Sequence, residues 1–185
     1  GFKFNASAKA DGFRDGDIII RIDNKDIEAW STSELRAISN SKTVTVLRDG
    51  KEVELAMPEK MNLLEMLQQK PMYAELLLPM NIDSIIPNTP ADKIGLKRTD
   101  KITAVNGEEI QDFNDFKLQL LYIQDALNEQ STPADSLKAR TIALTINHSD
   151  TLTAVLTPEF TLGFSVKFPD YAITKKEYGF FESIP

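Results

Sequence analysis

An internal repeat is the feature of this 185-residue chain that most limits how it can fold. Residues 8–35 align with residues 91–118 without a gap, and every matched pair is separated by the same number of positions. The matched pairs keep residue type or chemical class: Ala8 with Ala91, Gly12 with Gly95, Asp17 with Asp100, Ile19 with Ile102, Ile27 with Ile110, Trp30 with Phe113, and Leu35 with Leu118. Such self-similarity indicates a duplicated domain.

Both copies have the same predicted order of elements. A short helix ends at Gly12 or Gly95, which suits a left-handed C-terminal cap, and a strand follows. Asp23-Asn24 and Asn106-Gly107 are residues that tolerate positive φ in a tight hairpin turn. Each copy then has an amphipathic helix and a final hairpin. The predicted helices are 7–10, 33–39, 90–94 and 113–126, and the predicted strands are 18–22, 43–47, 52–55, 101–105, 141–146 and 152–156.

Three segments depart from the repeat. Residues 128–138 are polar, occur only in the second copy, and are predicted to form a surface loop. Residues 59–69 are predicted to form a helical connector packed between the copies. Thr99 stands where the first copy has Gly16, so we expect that turn to have a different shape.

Composition excludes several classes of function. The formal net charge is −7 and no stretch is dense in lysine or arginine, so a nucleic-acid partner is not expected. There is no cysteine, which excludes disulfides and thiolate metal sites. No apolar run reaches the roughly 18 residues that a spanning helix needs.

Catalytic groups are not predicted. His148 is the only histidine, so a His-Glu-x-x-His zinc motif is impossible here, and we expect His148 to be a turn residue. The carboxylate pairs Asp15 with Asp17 and Asp112 with Asp115 fit turn and helix-cap roles. We therefore predict neither catalytic nor metal-binding residues.

The segment PADKIGLKRTDKITAVNGEEI, residues 90–110, resembles a PDZ domain of the bacterial, circularly permuted kind. The resemblance implies an α+β, mostly β fold with two circularly permuted PDZ domains in tandem, each a small, partly open β-barrel or sandwich with two helices. The expected boundaries are residues 1–70 for the first domain, 71–169 for the second, and 170–185 for a membrane-proximal tail.

The resemblance also implies a peptide site in the second domain. PDZ domains add an extended peptide as a strand beside a helix and hold its carboxylate in an apolar-Gly-apolar loop. Residues 71–76 of the first copy lack the glycine. Alternatively, the loop of the second copy is a bulged strand that fills the core, or its groove holds no peptide. The expected ligand-contacting residues are Leu162, Gly163, Phe164, Ser165, Val166, Asn114, Lys117 and Leu121.

The tandem arrangement and the ending Tyr178–Pro185 are similar to the periplasmic region of RseP-type site-2 proteases (regulator of sigma-E protease), notably the Bacteroidetes ones. These are zinc intramembrane metalloproteases. The resemblance implies a monomeric, non-catalytic segment without a cofactor of its own, on the extracytoplasmic side of the inner membrane. It would act as a size filter for membrane-anchored substrates such as anti-sigma factors, with the transmembrane part of the same protease, which would hold the zinc, as a partner.

Two alternatives remain open at this point. The modules could capture C-termini for a soluble HtrA-like or tail-specific serine protease. They could also form a scaffold that holds a partner through residues 171–185. The chain starts at Gly1 and ends on apolar residues, so we expect it to be a segment of a longer protein.

Overall fold

The computed structural model describes residues 1–168, which divide into two compact units, residues 1–77 (unit 1) and 78–168 (unit 2). The division falls later than the boundary expected after residue 70. The reason is that Ala74–Leu76 pairs with Phe2–Phe4 and so completes unit 1. The predicted tail, residues 170–185, lies outside the described residues.

Unit 1 contains a four-stranded antiparallel sheet and a separate two-stranded ladder. Its elements are β1 (Phe2–Phe4), α1 (Ala6–Ala10), β2 (Ile18–Ile22), β3 (Lys25–Asp26), α2 (Thr32–Ser39), β4 (Thr43–Arg48), β5 (Lys51–Ala56), α3 (Leu63–Gln68) and β6 (Ala74–Leu76). The strand order in the larger sheet is β3-β2-β4-β5, and β1 pairs with β6.

Unit 2 repeats the strand order and strand pairing of unit 1. Its elements are β7 (Ile82–Ile85), α4 (Pro90–Lys93), β8 (Ile102–Val105), β9 (Glu108–Glu109), α5 (Phe113–Asp125), α6 (Pro133–Arg140), β10 (Thr141–Ile146), β11 (Asp150–Val155) and β12 (Phe164–Val166). The larger sheet has the order β9-β8-β10-β11, and β7 pairs with β12. The fold is therefore α+β as predicted, and none of the sheets within residues 1–168 closes into a barrel.

Local backbone chemistry explains the shared element boundaries. Gly12 and Gly95 have φ values of 107° and 75°, so the left-handed caps predicted from the repeat are confirmed. Asn106 has a φ of 50° in the β8–β9 turn, also as predicted. The turn before β2 needs Gly16 at a φ of 96°, whereas Thr99 does not have a positive φ, so the two turns differ in shape as expected.

The predicted loop at residues 128–138 was wrong, because much of it belongs to α6. Thr132 and Asp135 form a capping box, in which each side chain accepts a hydrogen bond from the other residue's backbone N–H. Pro133 occupies the first turn, where its missing N–H has no cost. Leu137 is 50% exposed, so capping rather than an apolar stripe stabilises this helix.

Each unit has its own hydrophobic core. In unit 1 the rings of Phe4 and Phe13 stack at 4.7 Å between centroids, and Trp30 meets Phe2 edge-on at 4.8 Å. The expected connector helix is α3, and its Met66 is buried in this same core rather than lying in a linker. The unit 2 core is formed by buried residues of β8, β10, α4 and α5, among others.

A buried ion pair in unit 1 links Asp17, just before β2, to Arg48, the last residue of β4. The carboxylate of Asp17 accepts two hydrogen bonds from the Arg48 guanidinium, at 2.9 and 2.8 Å, and Arg48 also donates to the carbonyl of Gly12. Asp17 further accepts a hydrogen bond from the N–H of Arg14. The hydrogen bond with Asp17 raises the pKa of Arg48. Asp17 therefore has the turn role predicted for it.

We expect Asp17→Asn to lower the free energy of unfolding of unit 1 by about 3 kcal/mol, because it leaves the guanidinium facing a neutral group in a mostly buried site. Trp30, the only tryptophan, lies in unit 1, so urea unfolding followed by its fluorescence reports on this unit. The control is Asp26→Asn, since Asp26 is 78% exposed and 3.9 Å from Arg21, and should cost less than about 0.5 kcal/mol. Equal effects of the two substitutions would contradict this account.

Candidate functional site: an open strand edge beside helix α5

Strand β12 has one paired edge and one open edge. The carbonyl of Gly163 accepts from Ile86 N–H at 3.0 Å, and Lys167 N–H donates to Asn81 at 2.8 Å, so both residues direct backbone groups towards the β7 side. Backbone direction alternates along an antiparallel strand, so the groups of Phe164 and Val166 point the other way. No strand of residues 1–168 pairs with that second edge.

An aromatic cluster joins β12 to α5. The ring of Phe164 lies 5.7 Å from Phe113 and 5.4 Å from Phe116, measured between centroids, in tilted and edge-on arrangements. Phe164 is only half-buried as a residue, and its ring packs on the helix. The cluster forms an apolar floor beside the open edge, and we call the space between β12 and α5 the groove.

The loop before β12 presents two unused backbone donors. Leu162 is buried, and its carbonyl accepts from Ala91 N–H at 2.8 Å, which fixes the loop against α4. Gly163 has a φ of 103°, a conformation open mainly to glycine. No atom of residues 1–168 accepts a hydrogen bond from the N–H of Leu162 or Gly163. Adjacent N–H groups of this kind can bind a carboxylate.

Thr89 was not predicted as a site residue, yet it holds the loop in place. Its hydroxyl donates to the carbonyl of Ile86 at 2.7 Å and lies 3.3 Å from that of Gly163. A Cβ atom on Gly163 would overlap the Thr89 side chain, so glycine is required for space as well as for φ. The Thr-Pro pair at residues 89–90 indicates a helix start in the sequence. The contact between Thr89 and Gly163 cannot be predicted from the sequence.

Phe160 is a second residue that sequence reasoning missed. It is buried at a φ of 62°, which is uncommon for a bulky side chain. Its N–H donates to Thr157, and the N–H of Thr157 donates to Thr161, so a closed turn leads into the loop. The turn fixes the path of the backbone just before the two free donors.

The structure brings most of the predicted site residues together. The strand and loop residues, 162–166, are contiguous with the groove. Leu121 is half-buried on α5, and the ammonium of Lys117 lies 5.4 Å from the centre of the Phe113 ring. Ser165 contributes through its hydroxyl to a 2.7 Å hydrogen bond with Ser84, on the face of the strand away from the core.

Asn114 needs correction as a predicted ligand contact. It is 5% exposed, and its Oδ1 accepts a 2.8 Å hydrogen bond from the N–H of Leu78. This side chain ties the start of unit 2 to α5, so it does not face a ligand. Because Leu78 lies far away in sequence, nothing in the local pattern indicated this contact.

The corresponding loop of unit 1 is built differently. The N–H of Tyr73 donates to the carbonyl of Met66 in α3 at 3.1 Å, so that donor is already used. The Tyr73 ring is buried, and its hydroxyl donates to Asp11 at 2.7 Å. Burial, and then the hydrogen bond to Asp11, raise the pKa of Tyr73. The loop lacks a glycine, as the sequence indicated, and is fixed by side chains instead.

The residues considered for catalysis have structural roles. His148 has a φ of 61° in the β10–β11 turn, and its N–H donates to the Thr103 hydroxyl, as expected for a turn residue. Asp112 caps α5 by accepting from Asp115 N–H, also as predicted. Residues 1–168 contain no group of three or more histidine or acidic side chains that could hold a metal ion. In this range no helix has the length and apolar character needed to cross a bilayer.

Comparison with known families identifies a PDZ domain at residues 82–120. The matched range starts at β7 and includes α4, β8, β9 and the part of α5 that carries Phe113 and Phe116. The search of curated proteins returned no match to the chain. Unit 2 therefore contains a PDZ domain, and the groove lies beside the helix at the end of the matched range.

We expect Gly163→Ala to destabilise unit 2 more than Gly107→Ala does. Both residues have positive φ, which costs alanine about 1–2 kcal/mol, but Gly107 has open space around it. At Gly163 the methyl group also meets Thr89, which adds an overpacking penalty of about 1–3 kcal/mol. Amide hydrogen exchange of buried Ile142 and Leu144 measures the stability of unit 2. Equal losses would show that the contact with Thr89 is not tight.

Proposed function

We propose that unit 2 binds the free C-terminal segments of other polypeptides in the groove between β12 and α5. The single observation that carries this proposal is the pair of free N–H groups at Leu162 and Gly163, next to an unpaired strand edge. Backbone donors of this kind suit a terminal carboxylate, and the edge suits an added strand. The PDZ domain at residues 82–120 supports a peptide-binding role.

The peptide would run antiparallel to β12 with its last residue opposite Phe164. The backbone groups of Val166 would bond to the peptide two residues further back, since the groove-facing groups of a strand alternate. An apolar last side chain would rest on Phe164 and Phe113. A short, flexible peptide loses conformational entropy when it binds, and this loss weakens the affinity. We therefore expect dissociation constants in the micromolar range.

Unit 1 is proposed to be a PDZ-like module without a carboxylate site. It shares the strand order and the pairing of first with last strand seen in unit 2. Its loop donor at Tyr73 is bound by Met66, and Asn5 also bonds to Gln69 and Pro71 beside that loop. This unit would serve as a rigid spacer.

At the level of the parent protein, we propose that the two units gate substrates for an RseP-type intramembrane zinc protease. The sequence resemblance and the duplicated topology support this role. The chain would lie on the extracytoplasmic side as a non-catalytic filter. Membrane-anchored proteins would pass only after their outer domain had been clipped, and the new C-terminus would be a ligand for unit 2. The zinc would be held by the membrane part.

The alternatives differ in what flanks this segment in its gene. The proposed parent needs a His-Glu-x-x-His motif on an apolar helix before it and an apolar span after it. A soluble HtrA-like or tail-specific enzyme instead needs a serine-protease domain. A scaffold needs neither.

For the peptide site, titration of labelled peptides with an apolar last residue should show binding to the free C-terminus and at least about tenfold weaker binding after amidation, because a charge-assisted hydrogen bond contributes about 1.5–3 kcal/mol. Phe164→Ala should weaken binding by removing the apolar floor. Leu137→Ala, which changes an exposed residue on α6, is the control and should have no effect. Indifference to amidation would exclude the carboxylate site.

For the gating role, the full parent protease should cleave a membrane-anchored substrate with an intact outer domain only after this two-unit segment is deleted. A clipped substrate should be cleaved in either case. Cleavage is measured in reconstituted vesicles, with a substrate of each length. The size-filter role is wrong if deletion leaves the intact substrate uncut while the clipped one is still cleaved.

A further inference from the structure

Two lysines flank the groove from different elements. Lys167 follows β12 on the strand side, and Lys117 lies on α5 on the helix side. Both side chains are exposed, and no carboxylate of residues 1–168 forms an ion pair with either ammonium. Lys117 therefore lies on the helix wall of the groove and Lys167 at the end of the strand that borders it, both without an ion pair within residues 1–168.

Strand geometry decides which peptide residue Lys167 meets. Phe164 and Val166 pack on the unit 2 core, so Ser165 and Lys167 lie on the opposite face of the strand. The pairing with β7 contains a β-bulge: Ser165 is opposite Ser84, and Val166 is opposite Ile82. The unpaired extra residue is therefore on β7, and the alternation of side chains along β12 is regular. Residues directly opposite each other share a face, about 4.5–5.5 Å apart at Cβ. With its last residue opposite Phe164, the peptide puts its fourth residue from the end beside Lys167.

Lys117 meets the side chains on the other face of the peptide. It is one helical turn after Phe113, and its ammonium lies 5.4 Å from the centre of that ring. Because Phe113 also contacts Phe164, this ammonium lies on the helix wall of the groove. Peptide residues opposite Phe164 and Val166 point towards α5. The third residue from the peptide end is therefore the one that faces Lys117.

The acidic groups on the neighbouring elements of residues 1–168 do not form ion pairs with Lys117 or Lys167. Asp83 is on β7, which borders β12 on the side away from the groove. Asp115 on α5 accepts from the N–H of Gln111 at the start of the helix. The net charge of −7 belongs to the whole chain, but charges beyond about 8 Å are largely screened at physiological salt. Neither Asp83 nor Asp115 forms an ion pair with Lys117 or Lys167, so both ammonium groups can meet an acidic side chain of a bound peptide.

We propose that unit 2 selects C-terminal segments that carry acidic side chains at the third and fourth residues from the end, with Lys117 and Lys167 as the specificity-determining residues. This inference rests on the proposed peptide-binding function. It adds the class of ligand: an acidic stretch followed by an apolar last residue.

The test uses the whole chain and short labelled peptides with a free C-terminus and an apolar last residue. The peptides carry either glutamate or glutamine at the third or the fourth position from the end. Glutamate at each position should bind about two- to fivefold more tightly than glutamine, as expected for a partly exposed ion pair, and the preference should shrink in high salt. Lys167→Gln should abolish the preference at the fourth position and Lys117→Gln that at the third.

Lys97→Gln is the matched control, since it removes the same charge from an exposed lysine outside β12 and α5 and should keep both preferences. Equal affinity for glutamate and glutamine peptides, with binding still lost on amidation, would overturn the selectivity and leave the peptide site intact. A preference that survives both groove substitutions would overturn it too. Peptides that bind equally well after amidation would overturn the proposed function itself.

Discussion

The antiparallel pairing of β7 with β12 is the constraint on which the unit 2 site depends. It joins the first strand of the unit to its last, so one edge of β12 is used and the other is left open beside α5. The pairing also brings Gly163 against Thr89 at the start of α4. That close approach accepts only glycine, and the backbone it imposes leaves two N–H groups without an acceptor in residues 1–168.

The same pairing in unit 1, between β1 and β6, does not produce the same site. There the preceding helix, α3, is close enough for the Met66 carbonyl to accept from Tyr73. The unit 1 loop has no glycine, and the buried side chain of Tyr73, hydrogen-bonded to Asp11, holds it in place instead. The same strand pairing thus supports two local arrangements of the loop, and only the loop of unit 2 leaves both donors unused within residues 1–168.

Sequence patterns predicted those features that depend on local chemistry. The caps at Gly12 and Gly95, the positive-φ turn at Asn106 and the strand Ile18–Ile22 follow from residue type and spacing alone. Helix α6 was missed because it has no apolar stripe, although its capping residues Thr132 and Asp135 were visible in the sequence. Apolar periodicity is a signal of burial, and α6 has no buried residue.

Features that depend on distant contacts could not be predicted. The position of Asn114 on its helix suggested a groove residue, but its side chain accepts a hydrogen bond from the N–H of Leu78. Thr89 is an ordinary helix N-cap in sequence, and its second role exists only because Gly163 reaches it in the fold. The Leu162-Gly163-Phe164 motif was readable, but the free donors depend on how Ala91 and Ile86 hold the carbonyls beside them.

Amide hydrogen exchange with and without a free C-terminal peptide tests the central claim most directly. The N–H groups of Leu162, Gly163 and Val166 should exchange fast in the free protein and slowly in the complex, because the peptide supplies their missing acceptors. The N–H of Tyr73, already bound to Met66, should be unaffected. Protection that appears around Tyr73 and β6, with the unit 2 loop unchanged, would contradict the account.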